Sequence, residues 1–274
     1  MWGIIKLNSI NESLKVDASI GVNFFAPKCI DRDENFDTRN AHAIANSKCN
    51  FRCSFCDYTV KREHKPHLMT IEEFENRVNQ LLKKGNMFKF TGGEPCMNPL
   101  LEEELKIVKQ KGGTVFLDTN GSMNAIIKNL LEKKLIDVLG VSLKGLTKTE
   151  AIKNSGIKNE KLCWENVLDT IKVALTYSNV RVIVTYVAYD NFNYNDLLDF
   201  AKILNNLGKG VYLKINNLDG KKEEHRDKNI TAVDGDKLKY IIEKFVEENE
   251  KWKNRVILIN GADAITDYSK ILFF

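Results

Sequence analysis

Three cysteines stand close together in the run Cys49-Asn50-Phe51-Arg52-Cys53-Ser54-Phe55-Cys56. Thiolates are soft ligands, and a group this dense at unequal spacing marks a metal site. Three make an incomplete site. An iron–sulfur cube held by three protein thiolates keeps one iron open, and an open iron can bind a substrate. A structural zinc site is the alternative, with Cys49, Cys53 and Cys56 joined by His64 or His67 as fourth ligand. Zinc modules usually carry a second clustered pair, and none follows in this chain. Further on, Thr91-Gly92-Gly93-Glu94-Pro95 closes an apolar run containing Met87, Phe88 and Phe90. Glycines let backbone approach a ligand closely, and a carboxylate beside them suits an ammonium group.

The elements that must position these residues alternate along the chain. Beyond residue 40, short β-branched runs alternate with amphipathic helices, which predicts a parallel sheet with crossover helices. A first strand over 41–47 leads into the cysteine loop. Thr70 and Glu73 form a capping box for a helix bearing Ile71, Phe74, Val78 and Leu81 on one face. The second strand ends at the glycine pair, and Asn98-Pro99 opens a helix that Gly112-Gly113 stops. The third strand, 114–118, runs into Thr119-Asn120-Gly121, and its helix carries Ile126, Ile127, Leu130, Leu131 and Leu135. The fourth strand, 138–143, precedes a long irregular link and a helix with Val167, Leu168, Ile171 and Leu175. Residues 181–189 are the most β-rich run, 211–216 a sixth strand, and 256–259 a further one. Ligands gather at the carboxyl ends of strands in parallel barrels. The cysteine loop, the glycine pair, Asp118, Asn120, Ser142 and Lys144 all fall at such ends.

The bulk composition excludes little. At 274 residues the chain can bury a substantial core, as one α/β-barrel domain or two smaller ones. A formal charge of +4 is too mild to argue for nucleic acid, and 221–228 alternates sign as a solvated loop does. With no long apolar stretch and no charged-then-apolar leader, neither a membrane span nor a signal peptide is expected. Six cysteines, three of them in one motif, fit a reducing cytosol, so the expected location is cytoplasmic. Cys29, Cys96 and Cys163 are scattered singly and are expected to be buried inert thiols. His42, His64, His67 and His225 have no catalytic spacing and are expected on the surface or in loops.

The two motifs, in this order and separation, resemble the radical S-adenosylmethionine (SAM) superfamily, whose signature is C-x3-C-x2-C with an aromatic before the last cysteine. Phe55 holds that aromatic position. The resemblance covers about residues 40–220. It implies a partial (β/α)6 TIM-like barrel, with 1–40 and 221–274 as short N- and C-terminal extensions. It implies a [4Fe–4S] cluster on Cys49, Cys53 and Cys56, whose open iron chelates the amine and carboxylate of SAM. It also implies an electron donor such as flavodoxin or ferredoxin. Gly92, Gly93 and Glu94 would grip the methionine amine, while Phe55 and the strand ends near Val187 and Ile215 would flank the adenine. On this basis a β-branched residue at 93 is expected to abolish SAM binding and leave the cluster in place.

Within that superfamily, Asp118-Thr119-Asn120-Gly121, Leu143-Lys144 and the run 154–159 resemble the activating enzymes of glycyl-radical enzymes. There the aspartate and a downstream D-x-K run line the SAM site and an adjacent cation site, which carries over to Asp118, Asn120 and Lys144. This chain has Ser142 where the second aspartate is expected, Thr185 in place of a strand arginine, and Asn217 in place of a histidine. The N-terminal glycine-rich stretch is absent. The substrate thus stays open among a glycyl loop, another peptide, and a small molecule or nucleotide. It would enter a mouth walled by residues 20–40, 190–194 and 217–230.

Overall fold

The computed structural model describes residues 14–21, 42–46, 48–56, 70–218, 227, 229–260 and 271–274. Its strands form one nine-stranded sheet in chain order. The six expected parallel strands are β2 (His42–Asn46), β3 (Met87–Gly92), β4 (Thr114–Thr119), β5 (Val138–Ser142), β6 (Arg181–Ala188) and β7 (Tyr212–Asn217). A seventh, β8 (Val256–Ile259), continues the sheet parallel to β7. The outer edges are antiparallel: β1 (Leu14–Gly21) pairs with β2, and β9 (Ile271–Phe273) with β8. Because β1 and β9 stand at opposite ends of the order, the sheet is an incomplete barrel of the α/β class.

Parallel neighbours need crossovers, and helices supply them. They are α1 (Ile71–Leu81), α2 (Leu101–Gln110), α3 (Asn124–Glu132), α4 (Lys148–Ser155), α5 (Asn166–Ala174), α6 (Tyr194–Leu207) and α7 (Gly235–Glu248). Two of them start at reciprocal capping boxes, Thr70 with Glu73 and Asn193 with Asp196. The helix-facing side of the sheet (Phe88, Phe90, Leu117, Val184, Leu213) joins Phe74, Val108, Leu130, Phe200 and Phe245 in one core. Each such fully buried side chain contributes about 2–3 kcal/mol. Alternate strand residues point the other way, into the lumen. There apolar side chains such as Phe116 and Ile183 are interspersed with buried polar ones, Lys89, Thr185 and Lys214, and Lys89 pairs with Asp118.

Three expectations need correction. The link after β5 is not irregular: Thr147 caps α4 by accepting from Glu150 N, and Gly156, with φ 66°, ends it in the left-handed conformation. A π-helical turn, Lys161–Glu165, then leads into α5. The polar composition of 148–155 hides this helix from a periodicity search. Ile126 lies 37% exposed on the outer side of α3 instead of in its apolar stripe. His42 is a buried strand residue, its Nε2 3.0 Å from the Gly85 carbonyl, and burial holds its pKa below the usual value. His64, His67, His225, Cys29 and the alternating-charge segment lie outside the described residues, apart from Asp227.

Candidate active site

β2 and β3 lie in parallel register, with Asn46 beside Gly92, so the cysteine loop and the glycine pair leave the same end of the barrel side by side. Two backbone bonds join them beyond the strands, Gly93 N to Asn46 O at 2.6 Å and Glu94 N to Lys48 O at 2.7 Å. The Asn46 side-chain amide also donates to the Glu94 carbonyl. A Cβ on Gly93 would lie 2.1 Å from the Lys48 carbonyl oxygen. Glycine is therefore demanded at 93 by the chain itself, at the residue immediately before Cys49. Gly92 carries a positive φ of 95°, a conformation few other residues adopt.

Glu94 is fully buried. Its carboxylate accepts from Thr119 Oγ1 at 2.6 Å, Asn120 N at 2.7 Å and Cys96 N at 3.0 Å. Burial pushes its pKa up, and the hydrogen bonds from Thr119, Asn120 and Cys96 oppose that. In the structure this carboxylate fastens the end of β3 to the end of β4. Cys96 is buried beside it, and desolvation raises its thiol well above the usual range.

The cysteine loop is held from two further directions. Asn120 Nδ2 donates to Asn50 Oδ1 at 2.8 Å, and Asn50 Nδ2 donates to Ser122 Oγ at 2.9 Å. On the other flank, Arg52 N donates to Ser155 O at 2.7 Å and Ser54 N to Asn154 O at 3.0 Å. Gly156 fits here because a Cβ would lie 2.4 Å from the Arg52 carbonyl. Asn154 is a hub: its Nδ2 donates to Lys144 O at 2.7 Å, and its Oδ1 accepts from Tyr189 OH at 3.0 Å. The Phe55 ring lies 6.0 Å from that of Tyr189, and the Lys144 ammonium sits 5.5 Å from the centre of the Phe55 ring. The predicted residues Asn120, Lys144 and Phe55 thus all belong to one assembly around the loop.

Cys49 and Cys56 are partly exposed and Cys53 is buried. They pack with Phe51, Phe55 and Cys163, which is buried as expected. Among the described residues no three His, Cys, Asp or Glu side chains converge to hold a single ion. A cubane asks for a different arrangement, since each thiolate takes its own iron. Three thiols distributed round one short loop, two of them reaching the surface at the barrel mouth, fit that group. Burial raises the Cys49 thiol above its usual pKa, and the bond that Phe51 N donates to its Sγ at 3.4 Å only partly opposes this.

Asp118 points into the lumen, with Lys89 Nζ at 2.7 Å. Lys89 and Lys214 both hold the Asp118 carboxyl below its usual pKa against the opposing effect of burial. Burial and the neighbouring Lys89 lower Lys214 to about 8. Ser142 and Val187 are half-buried at the ends of β5 and β6. Asn217 binds Val233 at both its amide atoms and Asn260 at its Nδ2, which ties β7 to the segments beyond it. Sequence patterns missed Lys89 and Asn50, and gave Thr119 and Asn154 only as members of the 118–121 and 154–159 motifs, without their roles; the polar interruption of an apolar strand at 89 is the signal that could have pointed to Lys89.

A model of the radical SAM superfamily matches residues 44–204, more than half of the chain. A GTP 3′,8-cyclase of Aquifex aeolicus is 29% identical over 59% of this chain and 51% of its own length. A Methanocaldococcus jannaschii protein described as a glycyl-radical enzyme activating enzyme is 27% identical, over 67% of this chain and 72% of that one. Among solved structures, SuiB of Streptococcus suis bound to its precursor peptide SuiA superposes with a TM-score of 0.64 at 15% identity, covering 82% of this chain and 49% of that one. The chain spans between 25% and 51% of the length of the first curated relatives it matches. Members of the matching family are enzymes that use a [4Fe–4S] cluster and SAM, and they need a reductant and a substrate. From the three-cysteine loop, the glycine pair beside it, the incomplete barrel and the family match together, we conclude that this chain belongs to the radical SAM superfamily.

Proposed function

We propose that this chain cleaves SAM reductively and removes hydrogen from a small substrate held in the barrel lumen. The observation that carries the proposal is the junction of the cysteine loop with the Gly92–Gly93 turn at the mouth of a lumen that holds buried charged groups. When bound, the cluster would supply the one electron that splits SAM into methionine and a 5′-deoxyadenosyl radical. The chain's own work is positional. Cys49, Cys53 and Cys56 would hold the cluster. The backbone of Gly92 and Gly93 lines the approach of the methionine end, with Ser142 and Lys144 on the facing rim. Phe55 and Val187 supply apolar surface to the adenine. A radical of this kind attacks almost any nearby C–H bond, so the mouth must hold the substrate in contact and keep water out. Asp190 N donates to Thr231 O and Asp190 Oδ1 accepts from Thr231 N, both at 2.7 Å, which ties the expected wall at 190–194 to the residue that follows 217–230.

Small size of the substrate is favoured by the charged groups buried in the lumen, Lys89 and Lys214, which lie out of solvent. Entry of a glycyl loop from a large partner is the second reading, supported by the likeness of 118–121 and of Lys144 to activating enzymes. We place the protein in the cytoplasm with flavodoxin or ferredoxin as electron donor; no helix among the described residues is long and apolar enough to cross a membrane. The test is anaerobic reconstitution followed by SAM and dithionite. About four irons per chain and release of 5′-deoxyadenosine are expected. A colourless protein with stoichiometric zinc would refute the reading.

A further inference from the structure

We propose that the outer flank of the cysteine loop, together with the end of α4 and the π-helical turn after it, is the docking face for a small acidic one-electron carrier protein. The inference rests on the radical SAM reading, which calls for a reductant, and says where on this chain that reductant binds. Arg52 N and Ser54 N donate to Ser155 O and Asn154 O, so the loop and the end of α4 share one surface. Gly156 is exposed at their seam, against the Arg52 backbone. Lys48, Arg52, Lys153, Lys158 and Lys161 stand around it, all exposed.

The charge of this face is unbalanced. None of Lys153, Lys158 and Lys161 forms an ion pair among the described residues. Arg52 Nη1 donates to the carbonyls of Cys49 and Phe51, which holds the guanidinium over the loop. The nearby acids are engaged: Glu160 pairs with Lys148, and Glu150 accepts from Tyr186 OH and Leu146 N. Glu165 is the remaining acid of 148–165. On other faces surface lysines are neutralised, Lys106 and Lys133 by Glu102, Lys128 by Asp169 and Lys202 by Asp199. An unneutralised basic face attracts an acidic partner and speeds its arrival. Its centre is apolar. Half-buried Ile152 and Ile157 pack on Phe51, Cys53 and Cys163, as do Cys49, Phe55 and Cys56. An apolar centre inside a charged rim is how protein interfaces are built. A carrier seated here would lie against the side chains that pack on the three cluster thiols. It gives up one electron and is itself oxidised; that electron is the one that splits SAM.

The test is calorimetric binding of oxidised flavodoxin, and separately of a ferredoxin, to the reconstituted protein at low and at high salt. Wild-type protein should bind a carrier, and binding should weaken as salt screens the charges. Lys153→Glu combined with Lys158→Glu should weaken it by about tenfold or more. Lys83→Glu combined with Lys84→Glu makes the same charge change just before β3 begins, at the opposite end of the barrel, and should leave binding unaltered. Release of 5′-deoxyadenosine driven by the reduced carrier should fall in the first variant, and release driven by dithionite should not, since a small reductant needs no docking face. Failure of both carriers to bind the wild-type protein, binding indifferent to salt, or equal affinity in the two double variants overturns the proposal, and so does loss of dithionite-driven release in the first. Absence of 5′-deoxyadenosine from wild-type protein with dithionite would instead sink the radical SAM reading.

Discussion

Replacing Gly93 by alanine should damage the cysteine loop before it touches any ligand. The added Cβ would lie 2.1 Å from the Lys48 carbonyl oxygen, 2.7 Å from its carbon and 3.0 Å from the Asn46 carbonyl oxygen. Non-bonded carbon atoms pack at about 3.5–4.0 Å, so the chain at Lys48 must retreat by roughly 1 Å. That movement pulls on the bonds from Gly93 N to Asn46 O and from Glu94 N to Lys48 O. Lys48 is exposed and Gly93 half-buried, so water reaches the freed groups and each bond is worth about 0.5–1.5 kcal/mol; losing both weakens this joint by about 1–3 kcal/mol. Against a total of about 5–15 kcal/mol that is a large fraction. Cys49 is the next residue, so Gly93→Ala should lower the urea midpoint and also reduce the iron bound after anaerobic reconstitution. This differs from what the glycine motif alone suggests, namely loss of SAM binding with the cluster intact. Full iron content together with an unchanged urea midpoint would refute the packing argument.

Alanine at Cys49, Cys53 or Cys56 should each remove the iron–sulfur absorbance, while Cys96→Ala and Cys163→Ala should keep it, as read by iron and sulfide analysis. Asn154→Ala deletes bonds to Lys144 O and Tyr189 OH and should lower stability by about 2 kcal/mol, with Tyr189→Phe losing about half as much; urea unfolding measures both. The lowered pKa of Lys214 sets a sign for pH dependence. Folded protein loses this proton near pH 8, whereas the unfolded chain keeps it to about the ordinary lysine value, so the unfolded state binds more protons in between. Stability should therefore gain up to about 1.4 kcal/mol per pH unit from this site as pH rises above 8. Lys214→Met should flatten that rise in urea titrations, and an unchanged slope would count against the assignment.

Much of the framework was legible in the sequence because its signals are local. β-branched runs gave β2 to β8 to within a residue or two, and the Thr70–Glu73 box gave the start of α1. The cysteine loop and glycine pair are contiguous motifs whose residue types state their chemistry. What stayed hidden depends on contacts between distant segments. Asn50 meets Asn120 and Ser122 across about seventy residues, and Asn154 reaches back to Ser54. Nothing in a single asparagine announces such a partner. Lys89 sits inside an apolar run, and only the fold shows that its alternation faces Asp118. Glu94 looked like a carboxylate for a ligand's ammonium; the folded chain turns it towards Thr119, Asn120 and Cys96.

The cysteine loop takes its shape from bonds to Asn120, Ser122, Asn154 and Ser155, none of which involves iron. In small zinc-dependent modules binding energy is folding energy, and stripping the ion unfolds the chain. Here those anchors belong to a large sheet with its own apolar core. A chain stripped of iron by oxygen should therefore remain folded with its cysteine loop still anchored. Repair then becomes a matter of chemical supply: reduced thiols, ferrous iron and sulfide suffice, and no chaperoned refolding is required. For an oxygen-labile cofactor, that separation of scaffold from cargo lets one polypeptide survive repeated cycles of damage and reloading.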